Sequence, residues 1–242
     1  MSRFIILFGL LCTVLNIQAA ENVKVGNLWF SVDNDRTWAS VIAVPKGKED
    51  TYTGAITIPA TISVPKIDDP ETIIDVPVTS IYDNAFKGAA ITSVEIGTNI
   101  TSIGSHAFDG STITQVKVPS SVTEIRIKAF DNCNRMEKAC FESIQHLVSI
   151  DFYLASSNPL YFAKHLFLGD FTTEVTSLVI PDDVPTIGRY SFVNCTSINN
   201  VNIPGTVTKI DDCAFQGCSA ITDLVIPEGV VTIGGDCPKT LI

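Results

Sequence analysis

Charge is what this chain carries least of. Only 17% of its 242 residues are Asp, Glu, Lys or Arg, against roughly 25% in an average globular protein. Basic residues are the scarcer sign, 16 against 26, for a formal net charge of −10. That balance speaks against a nucleic-acid or anionic-membrane partner, since either needs a basic face. Beyond the first twenty residues no stretch approaches the roughly 18 apolar residues that span a bilayer. Chemical signatures are equally thin. No Cys-x-x-Cys pair exists to hold zinc, and no glycine-rich loop is placed to cradle phosphate. Asp68-Asp69 and Asp211-Asp212 are neighbours in turns, not carboxylates facing across a cleft. Asp33-Asn34-Asp35 lacks the sixth-position glycine and the acidic twelfth residue of a calcium loop, because Val44 stands there. Cys140 and His146 could form a thiol–base pair, but nothing orients the base. The sequence therefore reads as non-enzymatic, with no cofactor and no metal. At 45% hydrophobic residues it is neither disordered nor short of core material.

The N-terminus supplies an address. Met1–Arg3 is a short basic start, Phe4–Leu15 is apolar, and Ile17-Gln18-Ala19-Ala20 offers cleavage after Ala19 or Ala20. That pattern predicts a Sec signal peptide over residues 1–20 and a secreted or cell-surface protein. Lipoprotein anchoring would use Cys12, but Leu11 sits where a small residue is wanted. Without Cys12, six of the 7 cysteines remain: Cys133, Cys140, Cys195, Cys213, Cys218 and Cys237.

What the chain has in quantity is repetition. Ile-x-x-x-Ala-Phe recurs at Ile81–Phe86, Ile103–Phe108, Ile125–Phe130 and Ile210–Phe215, and with Ser for Ala at Ile187–Phe192. The leading isoleucines are spaced by 22, 22, 62 and 23 residues, and Ile233 follows 23 later. A second block, Val-x-Ile-Pro in its clearest form, alternates apolar and polar residues as a strand with one buried face does. Proline, having no amide donor, ends that strand. One unit cannot bury its apolar side alone, whereas stacked units can. The expectation is a solenoid of 22–23-residue turns with Phe86, Phe108, Phe130, Phe192 and Phe215 as an interior ladder.

The run Val-Thr-x-Ile-x-x-x-Ala-Phe-x-x-Cys-x-x-Ile-x-x-Val-x-Ile-Pro, clearest at Val207–Pro227, resembles the BspA-type leucine-rich repeat of bacterial surface proteins. The resemblance implies a mainly β, right-handed leucine-rich-repeat solenoid over residues 78–242. It also implies adhesion or protein binding outside the cell, with a host-matrix protein or glycan as partner. Cys133, Cys195 and Cys218 each lie three residues after the repeat Phe, in a loop one residue longer than its cysteine-free counterparts. They read as buried filler thiols, since side chains stacked on parallel turns do not face one another for pairing. Cys140 aligns with Glu95, Lys117, Asn202 and Val225 and so reads as outward-facing.

Two segments break the period. Residues 21–77 contain β-like runs at Leu28–Val32 and Trp38–Val44 around a turn cluster, and predict an N-terminal β cap over the open end of the stack. Residues 143–174 carry a surplus, expected as a hairpin-like insertion in which Leu160–Leu168 is a strand completed by Thr172–Ile180. Val148 and Tyr153 are expected in the Ile and Phe positions of a distorted turn. Six of the chain's 20 aromatic residues fall in that span, which is where a regular scaffold tends to place recognition. Most of the rings are expected to pack inward, with Tyr161 left exposed.

The candidate binding surface is therefore the outward row, Glu95, Lys117, Cys140, Asn202, Asp223 and Val225, with Tyr161, Phe162 and His165 from the insertion. The function expected is an exported, non-catalytic recognition module that binds protein or glycan. The alternative is a structural protein that self-associates into a homodimer through an open C-terminal edge.

Overall fold

Main-chain hydrogen bonding between equivalent residues of successive coils organises the molecule. A computed structural model describes residues 20–235. Nearly all of the expected signal peptide, Cys12, Cys237 and the C-terminal edge toward Ile242 lie outside the described residues. Strands β1 (Glu21–Val25) and β2 (Leu28–Val32) form a hairpin, and β2 pairs antiparallel with β3 (Ala39–Ile42). Next come β4 (Thr53–Thr57) and the antiparallel pair β5 (Thr61–Pro65) and β6 (Ile73–Ile81). The repeats then supply β7 (Ala90–Glu95), β8 (Ser102–Ile103), β9 (Gln115–Val118), β10 (Glu124–Ile125) and β11 (Lys138–Phe141). The irregular span holds helix α1 (Ile144–Ser149), β12 (Asp151–Phe152), helix α2 (Leu160–Ala163) and β13 (Leu166–Leu168). The described chain ends with β14 (Ser177–Val179), β15 (Thr186–Ile187), β16 (Asn200–Asn202), β17 (Lys209–Ile210) and β18 (Thr232–Ile233).

Two parallel ladders run the length of the stack. One joins the short strands β6, β8, β10 and β12, placing Ile81, Ile103, Ile125 and Phe152 side by side. The other joins β4, β7, β9, β11 and β13, with Val94, Val116, Ala139 and Leu166 in line. After the irregular span both ladders resume, as β15–β17–β18 and β14–β16. The expected solenoid is thus present. The parallel pairing reaches back to β3 and β4, so residues 39–57 already lie as a coil against the repeats.

Each of the five coils that carry a repeat Phe bends through two left-handed residues, one two places before that Phe and one two places after it. The first set is Asn84, His106, Lys128, Tyr190 and Cys213, with φ between 56° and 60°. The second is Gly88, Gly110, Asn132, Asn194 and Gly217. A left-handed L-residue costs roughly 1–2 kcal/mol, and glycine or asparagine is the usual occupant. Four of the first set are held there by rungs to the next coil: Asn84 N–H to Ser105 O at 3.0 Å, His106 N–H to Ile127 O at 3.1 Å, Tyr190 N–H to Asp212 O at 3.2 Å and Cys213 N–H to Gly235 O at 3.3 Å. Tertiary pairing outweighs local preference at these positions.

The phenylalanine ladder fills the interior in two pieces. Phe86, Phe108 and Phe130 stack at centroid spacings of 5.2 and 5.0 Å, and Phe192 and Phe215 at 5.3 Å. All five are essentially inaccessible. Tyr52 closes the first stack, its ring 5.0 Å from Phe86. Cys133, Cys195 and Cys218 are buried and free, as expected. They are more than filler, because the Cys133 thiol donates to Phe108 O at 3.1 Å and the Cys218 thiol to Phe192 O at 2.9 Å. The longer loop turns the thiol toward the carbonyl of the preceding coil.

The irregular span corrects three expectations. Leu160–Ala163 is a helical turn rather than a strand, ended by left-handed Lys164. Only a single antiparallel bridge, Phe167 to Glu174, remains of the expected hairpin, since β13 runs parallel to β11 as the next rung of the solenoid. Phe152, not Val148, takes the Ile position opposite Ile125, and Ser157 takes the Phe position. Phe130 N–H donates to Ser156 O as Phe108 N–H does to Ala129 O, which fixes that alignment. The surplus residues sit before this coil, as α1, and after it, from 169 to 176. A preserved rung register outweighed the turn signals at Asn158-Pro159.

Candidate recognition surface

Alternation along the β4-to-β13 ladder presents one face to the core and the other outward. On the outer face Thr57, Glu95, Lys117, Cys140 and Phe167 stand in one row. Glu95 is exposed and accepts a long hydrogen bond from Thr57 Oγ1 at 3.4 Å. Lys117 is half-buried; its ammonium donates to Gly169 O at 2.5 Å and pairs with Glu142 at 3.2 Å. Cys140 keeps the predicted register but not the predicted exposure. The chain after β13 folds over it, and its thiol donates to Asp170 O at 3.4 Å, leaving it fully buried. Cys140 is therefore no contact residue. Burial pushes its thiol up to about 11, against the pull of Lys117.

On the second block Asn202 is exposed beside Val179, and Asn200 Nδ2 donates to Ser177 Oγ at 3.0 Å. Asp223 is exposed, and Val225 stands 77% accessible. The outer face is thus two patches separated by the irregular span, polar on the first block and mixed on the second, where Val179 and Val225 stand exposed beside Asn202 and Asp223.

That span brings the remaining predicted residues together. Phe162 and His165 line a groove of about 510 Å3 with Lys138, Lys164, Phe167 and Glu174. Its base is β11 and β13; its wall is α2, which starts after Pro159 and whose Tyr161 and Phe162 rings meet edge-to-face at 5.0 Å. The Lys138 ammonium lies 5.3 Å from the Phe167 centroid, in range for a cation–π contact. His165 Nδ1 and Glu174 Oε1 are 2.7 Å apart. Burial would raise the Glu174 carboxyl, but hydrogen bonds to it, that of His165 included, hold it below its ordinary value. Tyr161 is 36% exposed at the rim, as expected, whereas Phe152 packs into the core and Phe167, on the outer row, is covered, its ring 5.9 Å from that of Phe171. The groove offers aromatic faces and both signs of charge, which suits binding. Among the described residues no cluster of His, Cys, Asp and Glu could hold a metal ion.

A family model described as the BspA type leucine rich repeat region matches the chain in 6 copies, over residues 79–166 and 161–239. The chain belongs to the BspA-type leucine-rich repeat family. Its fold is similar to that of a leucine rich cell surface protein from Faecalibacterium prausnitzii A2-165, with TM-score 0.51 and 24% identity over 90% of this chain and 51% of that one. It is also similar to a leucine rich repeat protein of T. pallidum, with TM-score 0.51 and 22% identity over 88% and 86% of the two chains. The chain therefore spans about half the length of the first of these proteins. No curated protein sequence matches it. The Faecalibacterium prausnitzii protein is a cell surface protein; in the present chain no helix among the described residues is long and apolar enough to cross a membrane.

In this BspA-type chain, sequence reasoning passed over Lys138, Lys164 and Glu174. Lys138 had a readable signal, because it is the counterpart of Gln115 in the outward row. Lys164 and Glu174 had none: they reach the groove through a helical turn and a one-bridge reversal that no repeat alignment specifies.

Proposed function

We propose that this protein is an exported, non-catalytic recognition module of the bacterial surface, an adhesin in the broad sense, that holds an extracellular protein or glycan. The observation that carries the reading is the groove where the solenoid is interrupted, with Phe162, Phe167, Lys138 and His165 around it and Tyr161 at its rim. A solenoid offers an extended face for recognition, and aromatic and cationic anchors gathered at one place are how such a face concentrates binding energy. The polar residues on either side, Glu95, Asn202 and Asp223 among them, act as the wet rim of such a contact.

The test is binding of residues 21–242 to a panel of immobilised extracellular-matrix proteins and mucins, followed by variants at the groove. Because Ser157, Leu160 and Leu166 are interior, excision of 154–174 would unmake the stack, so point changes are required. Tyr161→Ala with Lys138→Ala is expected to weaken any captured partner at least tenfold with the melting temperature unchanged. Capture that is indifferent to both changes would refute the groove as the contact.

A further inference from the structure

The opposite ladder, built from the short strands, carries a second constellation. Ser80 and Ser102 stand half-buried at equivalent positions of successive coils, and the buried Ser40 of the preceding strand holds Ser80 in place, their Oγ atoms 2.5 Å apart. One strand position beyond the isoleucines comes a row of Tyr82, Gly104 and Arg126. Their amides donate to Val41 O, Ile81 O and Ile103 O at 2.8, 2.8 and 2.9 Å, so the three occupy consecutive rungs. Gly104 has no room for a side chain, since a Cβ would meet Asp83 Oδ1 at 2.5 Å and Tyr82 C at 2.7 Å. With no side chain on the rung between them, Tyr82 and Arg126 are attached two rungs apart, about 9–10 Å along the stack. Trp38 stands at the other side of the serines. Trp38, Ser40, Ser80, Tyr82, Asp83, Ser102, Gly104 and Arg126 together line a groove of about 220 Å3. Tyr82 is 58% and Trp38 42% exposed, although aromatic rings of this size are ordinarily buried to a large extent.

We infer that this groove is a saccharide-binding subsite for one neutral pyranose ring. A sugar ring shows C–H bonds on its faces and hydroxyls on its edge. The faces suit the electron-rich faces of Tyr82 and Trp38, and the hydroxyls suit Ser80, Ser102, Asp83 and the Arg126 fork. The volume is below the ~300–1,000 Å3 of pockets for drug-sized ligands, which fits one ring. Charge fits a neutral ligand, because Arg126 Nε is paired with Glu124 Oε1 at 3.3 Å, and the same carboxylate oxygen accepts from Tyr153 OH at 2.8 Å. This subsite is separate from the groove beside β13 and does not depend on it.

The test is NMR titration of residues 21–242 with lactose, maltose and chitobiose, following the Trp38 indole and the Ser80, Tyr82 and Gly104 amides. At least one disaccharide is expected to move these signals together, with a dissociation constant of about 1–10 mM. Tyr82→Ala and Arg126→Ala, both exposed substitutions, should each weaken that constant about tenfold, while Val231→Ser leaves it unchanged. The assignment is overturned if no disaccharide moves the signals at about 50 mM, if Tyr82→Ala binds as well as the parent, or if only a heparin oligosaccharide moves them. Tyr161→Ala and Lys138→Ala address the other groove, so failure at one site is distinguishable from failure at the other.

Discussion

The regular coil from Ile103 to Val118 and the irregular one from Phe152 to Leu168 occupy equivalent rungs but solve the interior in opposite ways. In the regular coil Phe108 lies between Phe86 and Phe130, and its amide donates to Ala129 O at 2.7 Å. In the irregular coil the equivalent residue is Ser157, whose Oγ accepts Leu154 N–H at 3.1 Å, so the ring stack is interrupted. Asn158 carries the connection instead. Its side-chain oxygen accepts Leu160 N–H at 2.9 Å, and its Nδ2 donates to Tyr190 O at 2.9 Å and Ser191 O at 3.2 Å. Asn194 answers from the next coil, with Nδ2 on Tyr161 O at 2.9 Å. One junction is apolar and repeats; the other is polar and specific to one pair of coils. The comparison teaches that a solenoid can drop a core ring if a buried amide takes over the inter-coil bonding.

The largest test of the comparison is on its apolar side. Phe108→Ala leaves a ring-sized gap between two rings and should cost about 3–5 kcal/mol. At roughly 2–4 °C per kcal/mol for a chain of this size, thermal scanning should show a fall of about 6–20 °C. Phe215, with Phe192 on one side in its described stack, should cost less. Equal losses at the two sites would mean that stacking continuity contributes nothing.

Asn158→Ala probes the polar side. It leaves the Ser191 carbonyl and the Leu160 amide without these bonds and the Tyr190 carbonyl with Val193 N–H alone, a loss of about 2–3 kcal/mol. Because a repeat stack is stabilised through neighbouring interfaces, the loss should appear as separation. Hydrogen exchange in residues 187–215 should quicken while residues 81–130 keep their protection. Uniform loosening along the stack would show that the two blocks are not joined there.

Helix α1 belongs to the irregular span alone and adds a pH dependence that the regular coils lack. His146 Nε2 lies 3.0 Å from Val122 O and donates to it, while Nδ1 is buried without a partner among the described residues. Burial lowers its pKa below the ordinary 6.5, outweighing the Val122 bond and the nearby Glu142 charge. The unfolded chain then binds this proton more readily than the folded one. Stability from this site is full above 6.5 and falls as pH drops from there toward the lower folded value. Asp109 acts in a lower window. Burial would raise its carboxyl, but Asn132, His106 and Lys87 hold it down at about 2, so its contribution is present above 3.8 and is lost as pH falls toward 2. In denaturant melts His146→Gln should flatten the limb just below pH 6.5 and leave the acid limb below 3.8 in place. A variant whose upper limb persists would remove His146 as its source.

Much of this was legible because the period itself encodes the stack. The Ala-Phe pairs gave the interior, the Val-x-Ile alternation gave the long strands, and the loop length gave the buried thiols Cys133, Cys195 and Cys218. Most of the left-handed positions were hidden, since Lys128, Tyr190 and Cys213 show no local preference that would reveal them; only the rung pattern does. The irregular coil was misread because its core residues differ in kind. Phe152 stands for Ile and Ser157 for Phe, so a search for identities slips by several residues where a search for rungs would not. The candidate surface was half legible. Row membership followed from the repeat, whereas burial of Cys140 follows from a non-repeating loop laid across the row.

Cys140 gives the finest test of that last point, because it separates register from exposure. All four thiols at issue react through the thiolate, and burial raises each of them: Cys140 to about 11, Cys133 and Cys218 to about 12, and Cys195 well above its ordinary value. At pH 8 each of them is therefore almost entirely thiol, so native alkylation should be slow at every site. The cover differs, however. Cys133, Cys195 and Cys218 lie inside the coil stack, and reaching them requires that neighbouring coils part. Over Cys140 lies the 169–176 segment, bonded through Asp170 O to the thiol and through Gly169 O to Lys117. Opening of a loop takes less free energy than parting of a core. Timed iodoacetamide labelling read by peptide mass should therefore modify Cys140 first, well ahead of Cys195. Cys195 labelled ahead of Cys140 would mean that the outward row has been assigned to the wrong face.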